Sequence, residues 1–129
     1  MDPKEVRFAP THEWASLVDN VCTVGISQFA VEQLTDVTHV ELPKVGRMVK
    51  AGESMGEIES VKAVSDIYAP VEGEVIENNQ AALEADPGLI AADPYGQGWM
   101  VRLSVKPRTT LDHLLTYDQY QKQIASEGH

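Results

Sequence analysis

The stretch that decides the fold is Glu59-Ser60-Val61-Lys62-Ala63-Val64-Ser65-Asp66. One lysine stands there between two runs of strand-forming residues, and no Gly, Pro or Asn marks the reversal between them. The pattern predicts a β-hairpin with Lys62 at its tip. A lysine held on a rigid turn suits a long prosthetic arm, because the arm needs reach while its root needs a fixed position. We therefore interpret Lys62 as a carrier lysine.

An internal repeat on either side of this stretch strengthens the interpretation. Residues 43–50 and 70–77 both read as Pro-x-x-Gly followed by a strand. Proline presets φ at the start of such a turn, and glycine at its end supplies a backbone shape that a side chain resists. The repeat predicts a pseudo-symmetric β unit in which equivalent strands pack together and project the lysine from one end.

A series of collinear motifs, covering about residues 12–120, resembles the H proteins of the glycine cleavage system. The motifs are His12-Glu13-Trp14, Thr23-Val24-Gly25-Ile26, Val40-Glu41-Leu42-Pro43, Ala51-Gly52-Glu53, Glu59-Ser60-Val61-Lys62-Ala63, Ser65-Asp66-Ile67-Tyr68-Ala69-Pro70, Gly73-Glu74-Val75, Asp93-Pro94-Tyr95-Gly96 and Gly98-Trp99. The resemblance implies a mainly β, pseudo-symmetric barrel-sandwich of the biotinyl/lipoyl-like type. Short peripheral helices, including C-terminal helices, are expected around it.

Composition sets outer limits on size and partners. The 129 residues, 43% of them hydrophobic, suffice for one domain spanning residues 1–129. A net charge of −10 argues against nucleic acid and anionic membranes, which select Lys and Arg. No apolar run approaches the roughly 20 residues of a membrane span, and residues 1–5 lack signal-peptide features. We expect a soluble, intracellular protein, monomeric when free and cytoplasmic if bacterial, or mitochondrial if a transit peptide has been removed.

Hydrophobic periodicity predicts nine strands and three helical regions. The strands are expected at about 5–8, 13–18, 21–26, 37–42, 47–50, 54–60, 63–68, 73–77 and 99–105. The first helix is capped by Ser27 and ends near Leu34, and the second follows Asn79 and stops before Pro87. The third region has Leu111, Leu114 and Leu115, then Tyr117, Tyr120 and Ile124. Cys22, Trp14 and Trp99 are expected in the core.

The sequence gives little support for a catalytic site or a metal site. His12, His39, His113, His129 and Cys22 have no metal-ligand spacing among them. Gly-x-Ser-x-Gly, Walker and Gly-x-Gly-x-x-Gly motifs are absent from the sequence. We predict a non-catalytic carrier without a metal, and the carboxylates that alternate along the strands are interpreted as a solvated face.

The resemblance then implies the cofactor and the partners. Lipoic acid is expected in amide linkage to Lys62, where its dithiolane is the reactive part. A pyridoxal-phosphate glycine decarboxylase would load the aminomethyl remnant of glycine onto the arm. A tetrahydrofolate-dependent aminomethyltransferase would unload it, and dihydrolipoamide dehydrogenase would reoxidise the dithiol. A lipoylating enzyme would attach the cofactor.

The resemblance also assigns roles to residues around the lysine. Thr11, Glu13 and Asp66 match positions where the loaded arm docks, with a carboxylate pairing with the primary ammonium. Glu59, Gly46 and Gly73 match positions that present the lysine to the lipoylating enzyme. From local pattern, Glu13 could equally be an exposed acid at a strand start, Asp66 an unpaired hairpin charge, and the glycines purely structural.

Two positions depart from the family pattern. Thr35 stands where the family commonly has the glycine of Leu-Gly-Asp, and His39 stands where it has a Phe. If position 35 takes the left-handed conformation that ends a helix, a β-branched residue there is strained by roughly 1–2 kcal/mol. His39 puts local packing or the partner surface in question.

Several other carriers or enzymes could use such a lysine. A biotin carrier would place Met on both sides of it, where Val61 and Ala63 stand here. An acyltransferase lipoyl domain would be followed by a flexible linker and a catalytic domain. A Schiff-base enzyme would need a buried lysine with a depressed pKa. The alternative that stays open is an H-like carrier that relays lipoyl groups to other complexes or serves a sulfur-transfer system.

Overall fold

The computed structural model describes residues 2–34 and 36–127. In that part of the chain the strands form two sheets, with β-strand order β1-β2-β3-β9-β8-β5 in the larger and β4-β6-β7 in the smaller. The strands are β1 Arg7–Phe8, β2 Glu13–Val18, β3 Val21–Ile26, β4 Val37–Glu41, β5 Met48–Val49, β6 Ser54–Ser60, β7 Val64–Tyr68, β8 Gly73–Asn78 and β9 Val101–Ser104. The mainly β fold with peripheral helices is confirmed.

The two Pro-x-x-Gly repeats lie side by side, as the repeat predicts. Strand β5 pairs antiparallel with β8, with Val49 opposite Gly73, and the amide of Gly46 donates to the carbonyl of Val75 at 2.7 Å. The two glycines are needed for different reasons. Gly46 has a φ of +98°, whereas Gly73 lies where a Cβ would come 2.7 Å from the carbonyl oxygen of Ser104. The expectation of a special backbone shape is wrong for Gly73. A glycine is needed there because the neighbouring strand leaves no room for a side chain.

Four α-helices within the described ranges lie around the sheets: α1 Gln28–Leu34, α2 Gln80–Ala85, α3 Leu89–Ala92 and α4 Tyr117–Glu127. Helix α1 begins after Ser27, whose Oγ accepts the amide of Ala30 at 3.2 Å, and α2 ends before Pro87. Both agree with the sequence. Helix α3 was not predicted.

The predicted helical region around Leu111 and Leu115 is wrong. Leu115 instead forms a bridge to Phe8, in which each amide donates to the other's carbonyl at 2.8 Å. Because that pairing uses the backbone groups that a helix needs, only α4 remains helical in this region. Residues 3–5 are likewise a short 3-10 turn and not the start of the first strand, since the Asp2 side chain caps the Lys4 amide.

Phe8 of β1 packs with Trp14 in a smaller, mainly aromatic cluster. The main core cluster has apolar side chains from all the other strands. Cys22 lies within it, and burial raises the pKa of its thiol to about 12. Trp14 is fully buried. Trp99 is only half-buried, and Cζ of the Arg102 guanidinium lies over its ring, 4.1 Å from the ring centroid. Within residues 2–34 and 36–127, no helix is both long and apolar enough to cross a membrane.

Trp14 and Gly25 face each other across strands β2 and β3. A Cβ at Gly25 would lie 2.6 Å from Nε1 of Trp14, the atom that donates to the Pro94 carbonyl at 2.9 Å. We expect Gly25→Ala to lower the free energy of unfolding by about 2–4 kcal/mol, because the indole must shift and its hydrogen bond is lost. Urea unfolding measures this. Thr23→Ala, partly exposed on the same strand, should cost less than about 1 kcal/mol, and equal losses would refute the packing argument.

Candidate functional site

Lys62 lies at the turn between β6 and β7 and is exposed, as the sequence predicted. The turn needs no glycine because the Ser60 side chain braces it. Ser60 Oγ accepts the amides of Lys62 at 3.2 Å and of Ala63 at 3.1 Å, and the Ser60 amide donates to the Ala63 carbonyl at 2.8 Å. The Val61 amide reaches the Asp36 carbonyl at 3.2 Å. The root of the lysine is therefore fixed while its side chain is free to extend.

Exposed apolar side chains flank the lysine. Val61 is 64% exposed and Val64 is 58% exposed. Single exposed valines are ordinary on a protein surface, but two beside a projecting lysine form a small apolar rim. Such a rim suits transient contact with another protein.

A cleft of about 400 Å³ lies beside this hairpin. Its lining combines apolar residues with three acidic ones. The lining residues are Thr11, His12, Glu13, Ile26, Phe29, Ala30, Gln33, Leu34, Ile58, Ala63, Ser65, Asp66 and Glu127. Because Ala63 follows Lys62 directly, the cleft begins at the root of the lysine. The structure thus brings Thr11, Glu13 and Asp66 together beside Lys62.

Glu13 is the buried acid of this cleft, with only 1% of its surface exposed. Its Oε2 accepts the Tyr68 amide at 2.9 Å, and its Oε1 accepts the Thr11 hydroxyl. Burial raises the pKa of the Glu13 carboxyl, while these hydrogen bonds oppose the rise. The interpretation of Glu13 as an exposed acid is wrong, since its carboxylate joins β2 of the large sheet to the edge strand β7 of the small one. A cation placed in the cleft would offset the cost of that buried charge.

Asp66 and Thr11 are exposed. The Asp66 carboxylate accepts the Ser54 hydroxyl at 2.9 Å and the Tyr68 hydroxyl at 3.4 Å, so it is hydrogen-bonded, but to neutral groups and not to a cation. A carboxylate oxygen can accept more than one hydrogen bond. Asp66 therefore keeps capacity for a further donor on its open side.

His12 joins the cleft to helices α1 and α4. Its Nδ1 lies 2.7 Å from the Tyr120 hydroxyl, which is in turn 2.6 Å from Ser27 Oγ. Its Nε2 lies 3.4 Å from Glu127 Oε2. Burial lowers the pKa of His12, and the Glu127 carboxylate opposes that change.

The three residues assigned to presentation of the lysine are dispersed. Glu59 is exposed on β6, three positions before Lys62, opposite Val64 in the hairpin. Gly46 and Gly73 belong to the paired repeats of the large sheet. His39 is exposed and stands opposite Glu59, so its substitution for Phe changes surface rather than packing. Thr35, like His129, lies outside the described residues.

The lining of the cleft combines apolar side chains with carboxylates. Apolar residues such as Ile26, Phe29 and Ile58 with a few polar groups among them are typical of a small-molecule site. Among residues 2–34 and 36–127, no group of three or more His, Cys, Asp or Glu side chains could hold a metal ion.

Sequence reasoning missed Ser60, His12 and Glu127 as contributors to the site. Ser60 offered one signal, since a hairpin turn without Gly or Asn needs another source of hydrogen bonds. His12 and Glu127 are 115 positions apart in the sequence, and nothing local relates them. Their approach depends on how α4 packs.

The class of carrier domains is defined by an exposed lysine on a braced hairpin of a small two-sheet β fold, and here a cleft lies next to that lysine. Comparisons with known proteins specify it further. The family model described as "Glycine cleavage H-protein" matches residues 6–127. A glycine cleavage system H protein of Alcanivorax borkumensis is 51% identical over 125 residues, covering 97% of both chains.

Other relatives agree. A glycine cleavage system H protein of Gloeothece citriformis is 49% identical over 127 residues, 98% of this chain and 96% of that one. The crystal structure of a glycine cleavage system H protein from Mycobacterium marinum superposes with a TM-score of 0.87 at 40% identity, covering 96% of this chain and 99% of the other. The chain belongs to the glycine cleavage H-protein family, and it is a non-catalytic carrier subunit.

Proposed function

We propose that the protein carries lipoic acid in amide linkage on Lys62. On that arm it would move the aminomethyl group of glycine from the glycine decarboxylase to the aminomethyltransferase. The observation that carries the proposal is the exposed Lys62 on a Ser60-braced turn, whose next residue lines a cleft of apolar and acidic residues. The dithiolane of lipoic acid, when attached, supplies the redox and group-carrying chemistry.

The hairpin fits such an arm. The Ser60 contacts hold the backbone of Lys62 and Ala63 in one conformation. A tethered cargo then samples a small volume around a fixed origin, so each enzyme that docks meets it at high effective concentration. The protein contributes position and does not lower a chemical barrier.

The cleft fits the cargo. Its volume of about 400 Å³ lies within the usual range for small-molecule sites. Ile26, Phe29 and Ile58 would contact the carbon chain and exclude water. Asp66 would accept the ammonium from the exposed side, while Glu13 adds a negative charge just beneath the surface. This arrangement would slow the loss of the amine to water between one enzyme and the next.

The partners follow from the same cycle: glycine decarboxylase, aminomethyltransferase, dihydrolipoamide dehydrogenase and a lipoylating enzyme. The net charge of −10 supports docking on basic surfaces of these enzymes. Glu59, Gly46 and Gly73 would contribute to presentation of Lys62 during lipoylation. The relatives compared are bacterial, which supports a cytoplasmic location.

Reconstitution with the decarboxylase tests the function. We expect the lipoylated protein to support exchange of labelled bicarbonate into the carboxyl group of glycine, and the unmodified protein to support none. The reason is that exchange needs an acceptor for the aminomethyl group, which only the arm provides. A well-characterised H protein run in parallel controls for the decarboxylase.

Failure of exchange by the lipoylated protein, with the reference active, would overturn the glycine cleavage assignment. Transfer of the lipoyl group from this protein to another complex, in the same preparation, would then favour the relay function. The two outcomes are separated by mass spectrometry of the acceptor protein.

A further inference from the structure

His12 is the point where three elements meet at the cleft. It lies between Thr11 and Glu13, and its own side chain also lines the cleft. Its ring packs on Phe29 of α1, with the ring centroids 5.1 Å apart. From α4 it meets Tyr120 and Glu127.

The backbone at His12 is held in an uncommon conformation, with a φ of +84°. Non-glycine residues in the left-handed region are rare and persist only where the surroundings enforce them. Here the His12 amide donates to the Ala9 carbonyl at 2.9 Å, and its carbonyl accepts the Ser27 amide at 2.9 Å. These bonds direct the imidazole toward α4.

The hydrogen-bond network favours one tautomer of His12. The Ser27 hydroxyl accepts the Ala30 amide and can donate to Tyr120. Tyr120 can then donate to His12 Nδ1, and burial raises the pKa of its phenol so that it keeps its proton. This leaves the proton on Nε2, which faces the Glu127 carboxylate, whereas the opposite tautomer would place a lone pair against it.

Glu127 lies at the end of α4, where a negative charge is unfavourable. It is the last described residue of α4, and a carboxylate near a helix C-terminus opposes the helix dipole. Two contacts hold it there, with His12 at 3.4 Å and with Gln123 Nε2 at 3.2 Å. Gln123 also donates to the Pro10 carbonyl at 2.9 Å, which ties the same turn of α4 to the segment before β2.

We propose that Glu127 is a further carboxylate of the cargo cleft and that His12 is the positioning residue that holds it there. The ammonium would then be surrounded by three carboxylates, from Glu13 on β2, Asp66 on β7 and Glu127 on α4. The last turn of α4 becomes a wall of the cleft. This inference rests on the proposed function, since it needs a cationic cargo on the arm.

The test uses the full-length protein, loaded by the decarboxylase and checked by intact mass. The rate of ammonia release from the loaded protein is compared among the wild type, Glu127→Gln, His12→Asn and the double variant. Asn tolerates the left-handed backbone, so His12→Asn removes the ring without straining the chain. Glu72→Gln removes an equal charge at an exposed position away from the cleft lining.

We expect Glu127→Gln to speed ammonia release about two- to fivefold, as for a partly exposed ion pair. His12→Asn should have a similar effect, and the double variant should be no faster than the faster single one, because His12 acts through Glu127. Glu72→Gln should match the wild type. Gln keeps the length of Glu, so a purely structural role would leave the release rate unchanged.

Unchanged release from Glu127→Gln would overturn the inference, as would additive effects in the double variant. If no form of the protein can be loaded, the error lies in the proposed function itself. Intact mass therefore separates the two failures before any rate is compared.

Discussion

Lys62→Arg is expected to show no lipoyl mass increment and no glycine carboxyl exchange. The guanidinium stays protonated and cannot form the amide that an uncharged lysine amine forms. The fold should be unaffected, because the Lys62 side chain is exposed and the turn is held by Ser60 through backbone amides. We expect the free energy of unfolding to stay within about 0.5 kcal/mol of the wild type.

Lys106→Arg provides the matched control for this experiment. Lys106 is also exposed, and it lies after β9 of the large sheet rather than in the hairpin. The control should gain the lipoyl increment and support exchange at the wild-type rate. A lipoyl increment that persists in Lys62→Arg would move the attachment site elsewhere in the chain.

The parts of the fold that sequence predicted well are those specified by local pattern. In β9, Val101 and Leu103 are buried and Ser104 is exposed, as their alternation indicates. Helix α1 begins at its Ser27 cap and ends at Leu34. Periodicity and capping are short-range properties, so a few neighbouring residues contain the necessary information.

The wrong predictions concern segments whose secondary structure depends on residues far away in the sequence. Leu115 is not helical because its backbone pairs with Phe8, more than a hundred positions away. Helix α3 is too short for a clear period, and it is placed by the turn after Pro87. No local pattern contains such pairings.

The site shows the same division between local and distant information. Local pattern placed Lys62 at a hairpin tip, where the structure has it, because the turn is local. Its interpretation as a carrier lysine also needed the flanking Pro-x-x-Gly repeat and the family resemblance. The buried polar side chains in the described part of the chain are Glu13, Ser27 and Ser60, and all three serve the site. Glu13 binds the Tyr68 amide, Ser27 extends the His12 network, and Ser60 braces the lysine turn. Burial of a polar group is informative about function, but it is visible only once distant elements are assembled.

Glu13→Gln is expected to make the protein more stable at neutral pH while weakening its hold on the cargo. Gln is isosteric, its side-chain oxygen can still accept the Tyr68 amide, and its NH2 group can donate to the Thr11 hydroxyl once that hydroxyl turns to accept. The variant removes a buried charge, since only 1% of the Glu13 surface is exposed. We expect ammonia release from the loaded arm to rise about tenfold to a hundredfold, which corresponds to loss of a buried charged partner.

The sign of the stability change follows from the pKa of Glu13. Burial raises that pKa above the ordinary value of 4.5, so the folded protein binds the proton more readily than the unfolded chain. Ionised Glu13 therefore costs stability, and the cost is absent below the unfolded pKa and grows as the pH rises through the folded pKa. Gln does not titrate. The free energy of unfolding of Glu13→Gln should therefore exceed that of the wild type above about pH 4.5, and it should still do so at neutral pH.

Thermal unfolding across pH and ammonia release together decide the role of Glu13. A more stable variant that loses its cargo faster identifies a charge kept for function at a cost in stability. A variant that is less stable at neutral pH and holds its cargo as well as the wild type would show that Glu13 only joins β2 to β7. Glu72→Gln, which removes an exposed charge, should change neither measurement, because water already screens that carboxylate.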